Sequence, residues 1–263
     1  MKVRDTTVWV IGASAGIGEH VAYECARRGA AKIILSARRV ERLKDVKSKC
    51  EELGVTAEIL ELDVTDSDQI ARTCDQINAQ GGVDIVVNNA GVSQRSKAAD
   101  TPIDIDRRIM EINYFGLIDI SKRMIPSMIE RGRGHFAVTS SVVGKFGFPL
   151  RTAYSSSKHA LHGFFESLYL ENKRNGIGIT LVCPGRIKTE ISMSAINADG
   201  SAHGEMDPGQ AKGMPVELCA KKYVNGIEAN RREVFIGKER ILIYLRNFVP
   251  PLFYRIALKV NPK

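Results

Sequence analysis

The sequence predicts an α/β fold in which an open, doubly wound and mainly parallel sheet of seven strands carries helices on both faces. Short runs rich in β-branched residues alternate with longer segments of helical period, the pattern of parallel strands joined by crossover helices. A glycine-rich turn directly follows the first of these runs. No internal repeat or low-complexity linker divides the 263 residues, so we expect one large domain rather than two.

The elements follow in chain order. The helix after the second strand is marked by apolar residues at every third or fourth position from Val40 to Leu53. A long helix is predicted from Asp104 to Glu130, and the glycine-rich, polar stretch Ser192–Met214 predicts a mobile lid over about residues 190–215. The predicted strands are Thr7–Ile11, Lys32–Ser36, Ala57–Glu61, Asp84–Asn88, His135–Ser140, Ile179–Val182 and Glu233–Ile236.

Composition excludes several classes of protein. Apolar residues make up 44% and charged residues 26% of the chain, which is typical of a soluble folded protein and not of a disordered or collagen-like one. No signal peptide is readable at the start, and the five cysteines contain no C-x-x-C pair, so we expect reduced thiols in the cytoplasm. The five histidines show no metal-ligand spacing with Cys or carboxylates, and no metal is predicted. Trp9, in the first strand, is predicted to lie in the core.

The formal charge of +8 is concentrated at the C-terminal end. Residues 221–263 contain 10 Lys and Arg against 3 Asp and Glu, so the rest of the chain is almost neutral. The segment 241–263 also contains many apolar side chains, but Arg246, Arg255 and Pro250-Pro251 interrupt them, which argues against a membrane-spanning helix. Three interpretations stay open for this segment: packing on its own domain or lid, an oligomer interface, or peripheral contact with an anionic membrane.

The turn Gly12-Ala13-Ser14-Ala15-Gly16-Ile17-Gly18 lies between the first strand and the next helix, where a dinucleotide-binding turn is expected. Glycines let the backbone approach a pyrophosphate, and the N–H groups and dipole at the helix start favour the anion. A tight turn without a ligand is the alternative interpretation.

The end of the second strand indicates which dinucleotide binds. An NAD site usually has a carboxylate at this place, but here it is filled by Ala37 and followed by Arg38 and Arg39. A guanidinium matches the geometry of a 2′-phosphate, so NADP(H) is favoured over NAD(H). A solvated basic helix start is the alternative interpretation of the two arginines. Asp63, after the third strand, is expected either to accept a hydrogen bond from the adenine amino group or to cap the end of the strand.

Tyr154 and Lys158 are four residues apart at the start of a predicted helix, so both side chains lie on one face. A nearby cation stabilises a phenolate and lowers the pKa of the tyrosine toward the range in which it works as an acid or base. Ser141, at the end of the fifth strand, is placed to bind a substrate oxygen. Asn113, inside the long helix, is interpreted as part of a water-mediated proton path to Lys158.

Together these motifs resemble the short-chain dehydrogenase/reductase family, because Gly12-x-x-x-Gly16-Ile17-Gly18, Asn88-Asn89-Ala90-Gly91, Asn113, Ser141, Tyr154-x-x-x-Lys158 and Pro184-Gly185 occur in family order. The resemblance covers about residues 5 to 240 and implies a single Rossmann-type catalytic domain over residues 1–240. It implies that Asn88 to Gly91 brace the central sheet beside the adenosine, and that Lys158 also holds the nicotinamide ribose. The residues implied in cofactor binding are Gly12, Ser14, Ala15, Gly16, Ile17, Gly18, Arg38, Arg39, Asp63, Val64, Asn89, Ala90, Gly91, Tyr154, Lys158, Pro184, Gly185, Ile187 and Thr189.

Two local sequences, Ser140-Ser-Val-Val-Gly-Lys145 and the stretch from Tyr154 to Phe165, are similar to those of one branch of the family. That branch holds the 11β-hydroxysteroid dehydrogenases and dehydrogenase/reductase member 7. That branch generally uses NADP(H). Two features depart from the family pattern: Ile11 stands where Thr usually precedes the first glycine, and the polar stretch Ser192–Met214 does not indicate a steroid pocket.

The resemblance implies an enzyme that acts on CH–OH donors with NADP as acceptor, with Asn113, Ser141, Tyr154 and Lys158 as its catalytic residues. It would be a homodimer or homotetramer acting on a small carbonyl or alcohol substrate. A non-catalytic NADP(H)-binding sensor or scaffold is the alternative function. Nucleic acid is not expected as a partner, because only the net charge suggests it and no recognition motif accompanies that charge.

Overall fold

The computed structural model describes residues 1–259, and its sheet confirms the predicted fold class. Seven strands lie in the order β3-β2-β1-β4-β5-β6-β7, and every pair of neighbours in this sheet is parallel. The strands are β1 Thr7–Ile11, β2 Lys32–Ser36, β3 Thr56–Ile59, β4 Ile85–Asn88, β5 Gly134–Thr139, β6 Ile177–Pro184 and β7 Glu233–Ile236.

Helices connect the strands as crossovers. They are α1 Gly16–Arg27, α2 Val40–Glu52, α3 Ser67–Ala79, α4 Ile103–Met110, α5 Gly116–Glu130, α6 Thr152–Asn172, α7 Pro208–Ala211, α8 Val216–Glu228, α9 Ile241–Phe248 and α10 Pro250–Ala257. None of the helices within residues 1–259 is long and apolar enough to cross a membrane.

Both faces of the sheet are buried, which explains why its strands are almost continuously apolar. Val8 and Val10 of β1 face a cluster formed with α1, α2 and α8. Trp9 and Ile11 face the other cluster, formed with α3, α5 and α6. Trp9 is fully buried, as predicted, and its indole N–H donates to the Ser36 hydroxyl over 2.9 Å.

Several predicted strand limits were wrong by one or two residues. β3 ends at Ile59 rather than Glu61, and β5 ends at Thr139 rather than Ser140. β6 is longer than predicted, since it pairs with a strand along each edge and continues through Gly178 and Pro184, residues that usually weaken a strand. A side chain at Gly178 would overlap the His135 ring on β5, so glycine is required there.

The predicted helix from Asp104 to Glu130 is present but is not uniform. α4 and α5 are joined by a π-helical turn, Glu111–Phe115, that contains Asn113. Single π turns inside α-helices often occur at functional sites, because they redirect side chains without ending the helix.

The predicted lid is packed against the body of the domain. Ala195 is fully buried, and the Ile196 backbone bridges to Gln94. Asp207, before α7, forms ion pairs with Arg95 and Arg151. Opening of this segment stays a prediction.

The C-terminal segment packs partly on its own domain. Ile243 of α9 and Phe253 of α10 are buried, and the Phe253 ring lies 5.2 Å from that of Phe146. Other apolar side chains, including Phe248 and Leu258, are exposed, so a subunit interface and a membrane contact stay predictions for this outer face. Residues 260–263 of the predicted segment lie outside the described residues.

Gly116 provides a test of the packing between α5 and the loop after β3. A methyl group at Gly116 would overlap the Val64 carbonyl oxygen, so we expect Gly116→Ala to lower the free energy of unfolding by about 1–3 kcal/mol. Gly163, in the middle of α6, is exposed and has open space, so Gly163→Ala is expected to raise that free energy by about 0.5–1 kcal/mol. Urea denaturation measures both, and equal effects of the two substitutions would contradict the packing described.

Candidate active site

One large cavity lies at the carboxyl ends of the strands, where chain order reverses between β1 and β4. Open parallel sheets bind ligands in such a crevice. The cavity has a volume of about 950 Å³, and we call it the active-site cavity. The predicted site residues that line it are Gly12, Ser14, Ala15, Gly16, Ile17, Arg38, Arg39, Asp63, Val64, Asn89, Ala90, Gly91, Ser141, Tyr154, Lys158, Pro184, Gly185, Ile187 and Thr189.

The glycine-rich turn fits a pyrophosphate. Gly12 has φ +81°, and a Cβ there would lie 2.7 Å from the Ala90 Cα, so no larger residue fits. Ala15, at the start of α1, makes no side-chain hydrogen bond to the helix, which leaves the N–H groups of the first turn available to an anion. Gly18 does not line the cavity: a side chain there would overlap the Gly12 carbonyl oxygen, so Gly18 is required by the shape of the turn.

The two arginines after β2 lie on the adenosine side of the cavity but have different partners. Arg39 donates to the Ser14 hydroxyl over 3.1 Å, beside Ala37. Arg38 is directed toward Asp63, with 3.7 Å between the charged atoms, and its side chain is 64% exposed. Ser14 and Arg39 together therefore fit a phosphate group on the ribose, because both present donors at one place.

Asn89 connects the glycine turn to the catalytic side of the cavity. Its amide nitrogen donates to the Gly12 carbonyl oxygen over 3.1 Å, and its oxygen accepts from the Thr139 hydroxyl over 2.9 Å. Asn88, next to it, points away and donates to Ser121. The pair therefore braces the sheet on both faces, as the resemblance implied.

Tyr154 and Ser141 meet at the inner end of the cavity, and each is only 9% exposed. Burial raises the pKa of Tyr154 because a phenolate loses its hydration there. The neighbouring Ser141 hydroxyl opposes this rise in the pKa, and so do the positive charges of Arg151 and Arg95. The neighbouring groups thus offset part of the cost of forming a phenolate at this buried position.

Lys158 is buried, with only 3% of its surface exposed. Its Nζ lies 5.8 Å from the centre of the Tyr154 phenol ring. Its ammonium donates to the Thr139 carbonyl oxygen over 2.8 Å. Burial lowers the pKa of Lys158 to about 8, because a charged ammonium is disfavoured away from water. The side chain therefore exchanges protons more readily near neutral pH than an ordinary lysine does.

Asn113 is fully buried but does not line the cavity. Its oxygen accepts from the Val92 N–H over 2.8 Å, and its nitrogen donates to the Val92 carbonyl oxygen and to Ser157. A Cβ at Gly91 would lie 3.1 Å from the Asn113 oxygen and 3.3 Å from the Lys158 Nζ, so glycine keeps this corner open. The side chain positions the loop after β4, and its predicted water path to Lys158 stays a prediction.

Sequence reasoning missed two arginines of the cavity. Arg95 and Arg151 both line it, and both pair with Asp207 of the lid. Residues 95, 151 and 207 belong to three separate loops, so no spacing in the sequence indicates that they meet. The one local signal was that Arg151 precedes Tyr154 by only three residues, which places it near the predicted active site.

A buried polar group behind the catalytic residues was also missed. Side-chain atoms of His162, Cys183 and Glu233 lie within 4.8 Å of one another, although the three come from α6, β6 and β7. The His162 Nε2 lies 2.9 Å from the Ser140 hydroxyl oxygen, within hydrogen-bond distance. Lys145 forms an ion pair with Glu233. His162 and Lys145 lower the pKa of Glu233 to about 2 against the opposing effect of burial. We interpret the group as an ion-pair network, because Lys145 already supplies the cation.

Comparison with known proteins agrees with this geometry. Residues 6–199 match the family model described as short chain dehydrogenase. The chain is 36% identical to dehydrogenase/reductase SDR family member 7B of Rattus norvegicus, an alignment that covers 97% of this chain and 81% of that protein. It is 35% identical to dehydrogenase/reductase SDR family member 7 of Homo sapiens, covering 100% of this chain and 79% of that protein.

Solved structures show the same fold. A short-chain dehydrogenase of Burkholderia cenocepacia in complex with NADP superposes with a TM-score of 0.81 at 23% identity, over 97% of this chain and 99% of that one. A short-chain dehydrogenase of Streptomyces avermitilis also has a TM-score of 0.81, at 26% identity, over 95% of this chain and 94% of that one. The resemblance seen in the sequence motifs is thus confirmed: the chain belongs to the short-chain dehydrogenase/reductase family of oxidoreductases.

Proposed function

We propose that the protein is an NADP(H)-dependent oxidoreductase that interconverts a carbonyl and a secondary alcohol, with Tyr154 as general acid and base. One observation carries the proposal: the hydroxyls of Ser141 and Tyr154 and the ammonium of Lys158 meet in the same cavity as the glycine turn. A side-chain trio of this kind needs a hydride donor beside it, and the turn fits a dinucleotide.

The mechanism assigns one task to each side chain. The bound nicotinamide would supply a hydride to the carbonyl carbon. Ser141 holds the carbonyl oxygen by a hydrogen bond, and Tyr154 donates a proton to that oxygen as negative charge develops on it. Lys158, fixed by the Thr139 carbonyl, stabilises the phenolate and returns a proton from solvent. Alcohol oxidation follows the same steps in reverse.

Preference for NADP(H) over NAD(H) is part of the proposal. It is supported by Arg39 and Ser14, which form a donor pair where the carboxylate of an NAD site is replaced by Ala37. The related structure from Burkholderia cenocepacia contains NADP. For this chain the choice between the two cofactors depends on the charges of Arg38 and Arg39.

A non-catalytic NADP(H)-binding sensor is the competing function. It would need the glycine turn and a polar group to hold the nicotinamide ribose, but it would not need a phenol beside the Ser141 hydroxyl. Tyr154 and Ser141 nevertheless line one cavity together with the buried Lys158, whose ammonium is more costly to bury than a neutral polar group. The complete catalytic group therefore favours the enzyme.

The role of Tyr154 is tested by Tyr154→Phe. Loss of the phenolic proton donor is expected to lower kcat for carbonyl reduction at least about 100-fold, while the Kd for NADPH stays within about threefold. NADPH oxidation across a panel of ketones and aldehydes gives the rate, and nicotinamide fluorescence gives the Kd. Tyr169→Phe, a half-buried position on the same helix that does not line the active-site cavity, is the matched control and is expected to behave as wild type. Turnover by Tyr154→Phe close to that of wild type would refute the assignment.

Cofactor preference is tested by the double substitution Arg38→Ala and Arg39→Ala. We expect the Kd for NADPH to rise by about 10–100-fold, since charge-assisted hydrogen bonds to the 2′-phosphate are lost. The Kd for NADH, which lacks that phosphate, should change less than about threefold in the same variant and is the internal control. Arg39→Ala alone should account for the larger part because Arg38 is paired with Asp63. Equal weakening of both cofactors would contradict the proposed phosphate site.

The burial of Lys158 is tested by Lys158→Met. The lowered pKa of about 8 means that the folded protein holds this proton less firmly than the unfolded chain, in which the pKa of the lysine has its ordinary value of 10.5. Below pH 8 the charged lysine therefore destabilises the fold by about 3 kcal/mol, and this penalty disappears as the pH rises from 8 to 10.5.

Lys158→Met should thus abolish turnover yet raise the free energy of unfolding of the cofactor-free protein at pH 7. Urea denaturation at pH 7 and pH 10 should show that this advantage shrinks at the higher pH. The exposed substitution Lys122→Met is the control, and its effect should not vary with pH. An advantage of Lys158→Met that is the same at both values would show that the buried lysine does not titrate as described.

A further inference from the structure

The substrate end of the active-site cavity carries an excess of positive charge. Arg95 and Arg151 line it, with side chains that are only 6% and 13% exposed. Asp207 of the lid is the carboxylate that pairs with both. Arg186 also lines the cavity, and its charge adds to the repulsion that Arg151 experiences.

These arginines lie directly beside the catalytic tyrosine. The Gln94 side-chain oxygen accepts from the backbone N–H groups of Ala153 over 2.8 Å and of Tyr154 over 3.3 Å, which ties the loop that carries Arg95 to the start of α6. Arg151 occupies the N-cap position of the same helix. A cation at this end of a 21-residue helix lies against the positive end of the helix dipole, so Asp207 alone leaves it incompletely compensated.

Arg151 keeps hydrogen-bond donors that no described residue uses. Two of the five N–H groups of its guanidinium are engaged, one with the Pro149 carbonyl oxygen at 3.1 Å and one with Asp207 at 3.3 Å. The flat face of the guanidinium lies 5.4 Å from the centre of the Phe148 ring, which fixes its orientation. Arg95, by contrast, is largely engaged with Ser93, Gln94 and Asp207.

We propose that Arg151, supported by Arg95, binds an oxyanion of the substrate, so that the preferred substrates are ketones or aldehydes that carry a carboxylate or phosphate group. The proposal rests on the proposed carbonyl reduction and names its substrate class. A guanidinium fork pairs with either oxyanion through two parallel hydrogen bonds. Bound there, the anion compensates the buried positive charge and is held beside Tyr154 while the carbonyl meets Ser141.

Apolar walls complete the expected substrate. Val143, Phe146, Phe148 and Leu242 also line the cavity, and Phe253 of α10 packs behind Phe146. An aromatic or aliphatic portion is therefore expected next to the anionic group. Aryl methyl ketones with a charged or neutral group at the opposite ring position are suitable probes.

Three matched ketones test the proposal: 4-acetylbenzoate, 4-acetylphenyl phosphate and the neutral methyl 4-acetylbenzoate. For wild type, we expect kcat/KM with NADPH to be at least tenfold higher for one or both anions than for the ester. Arg151→Gln should lower this anion-to-ester ratio at least tenfold, and Arg151→Lys should restore part of it. Arg174→Gln, which removes an exposed arginine elsewhere, is the control and should leave the ratio unchanged. If Arg151→Gln does not fold, the exposed Arg186→Gln should lower the ratio at least threefold.

A binding measurement separates this proposal from the proposed function. Calorimetric titration of the three ketones into the Tyr154→Phe protein saturated with NADPH should show at least tenfold tighter binding of the anions, and Arg151→Gln should remove the difference. Preference for one anion identifies carboxylate or phosphate as the recognised group. Tighter binding of the anions without any turnover by wild type would refute carbonyl reduction and support the anion site. Equal binding or equal kcat/KM for the ester and both anions would overturn the anion site alone.

Discussion

The side chain of Asn89 holds together the two halves of the active site. It bonds the Gly12 carbonyl after β1 and the Thr139 hydroxyl at the end of β5, while its own backbone follows β4 between them. The Thr139 carbonyl in turn accepts from Lys158. The glycine turn and Lys158 are thus fixed to each other through one amide. Both hydrogen bonds of this amide are partly buried, so breaking them would leave polar groups with reduced access to water. In the proposed reaction, the relative positions of the hydride donor and the proton donor depend on this amide.

Signals that are local in the sequence predicted most of the fold and much of the site. The β-branched runs gave all seven strands, and the spacing of Tyr154 and Lys158 placed them correctly on one helix. Interactions between distant loops were missed. Arg95, Arg151 and Asp207 each resemble solvated surface charges in the sequence, and only the folded chain brings them to one place. The shape of the glycine turn explains why position 18 is a glycine, and the contacts of Asn113 hold the loop after β4; their assignment to cofactor binding and catalysis stays a prediction.

Charge is distributed in the fold differently from what the sequence alone suggests. Outside the C-terminal segment the chain is almost neutral, but the cavity is lined by eight Lys and Arg side chains against five Asp and Glu. The surplus lies near Arg38 and Arg39, where we propose that the cofactor binds, and near Arg95, Arg151 and Arg186, where we propose that the substrate binds. Between them lies Lys158, whose burial is unfavourable for the fold. Negative charges on the cofactor and on the substrate would reduce the repulsion between these positive side chains. Without ligands, part of this repulsion stays uncompensated.

Asp207 links this electrostatic strain to the predicted lid. Burial lowers the pKa of Arg151 to about 10, and the positive charge of Arg95 adds to this effect while Asp207 opposes it. Because Asp207 belongs to the predicted lid, opening of that segment would separate both arginines from this carboxylate. An anionic substrate of the class we propose would change this balance, since its oxyanion would add a second negative charge beside Arg151. The ion pairs that hold the lid segment and the contacts proposed to recognise the substrate therefore involve the same two arginines.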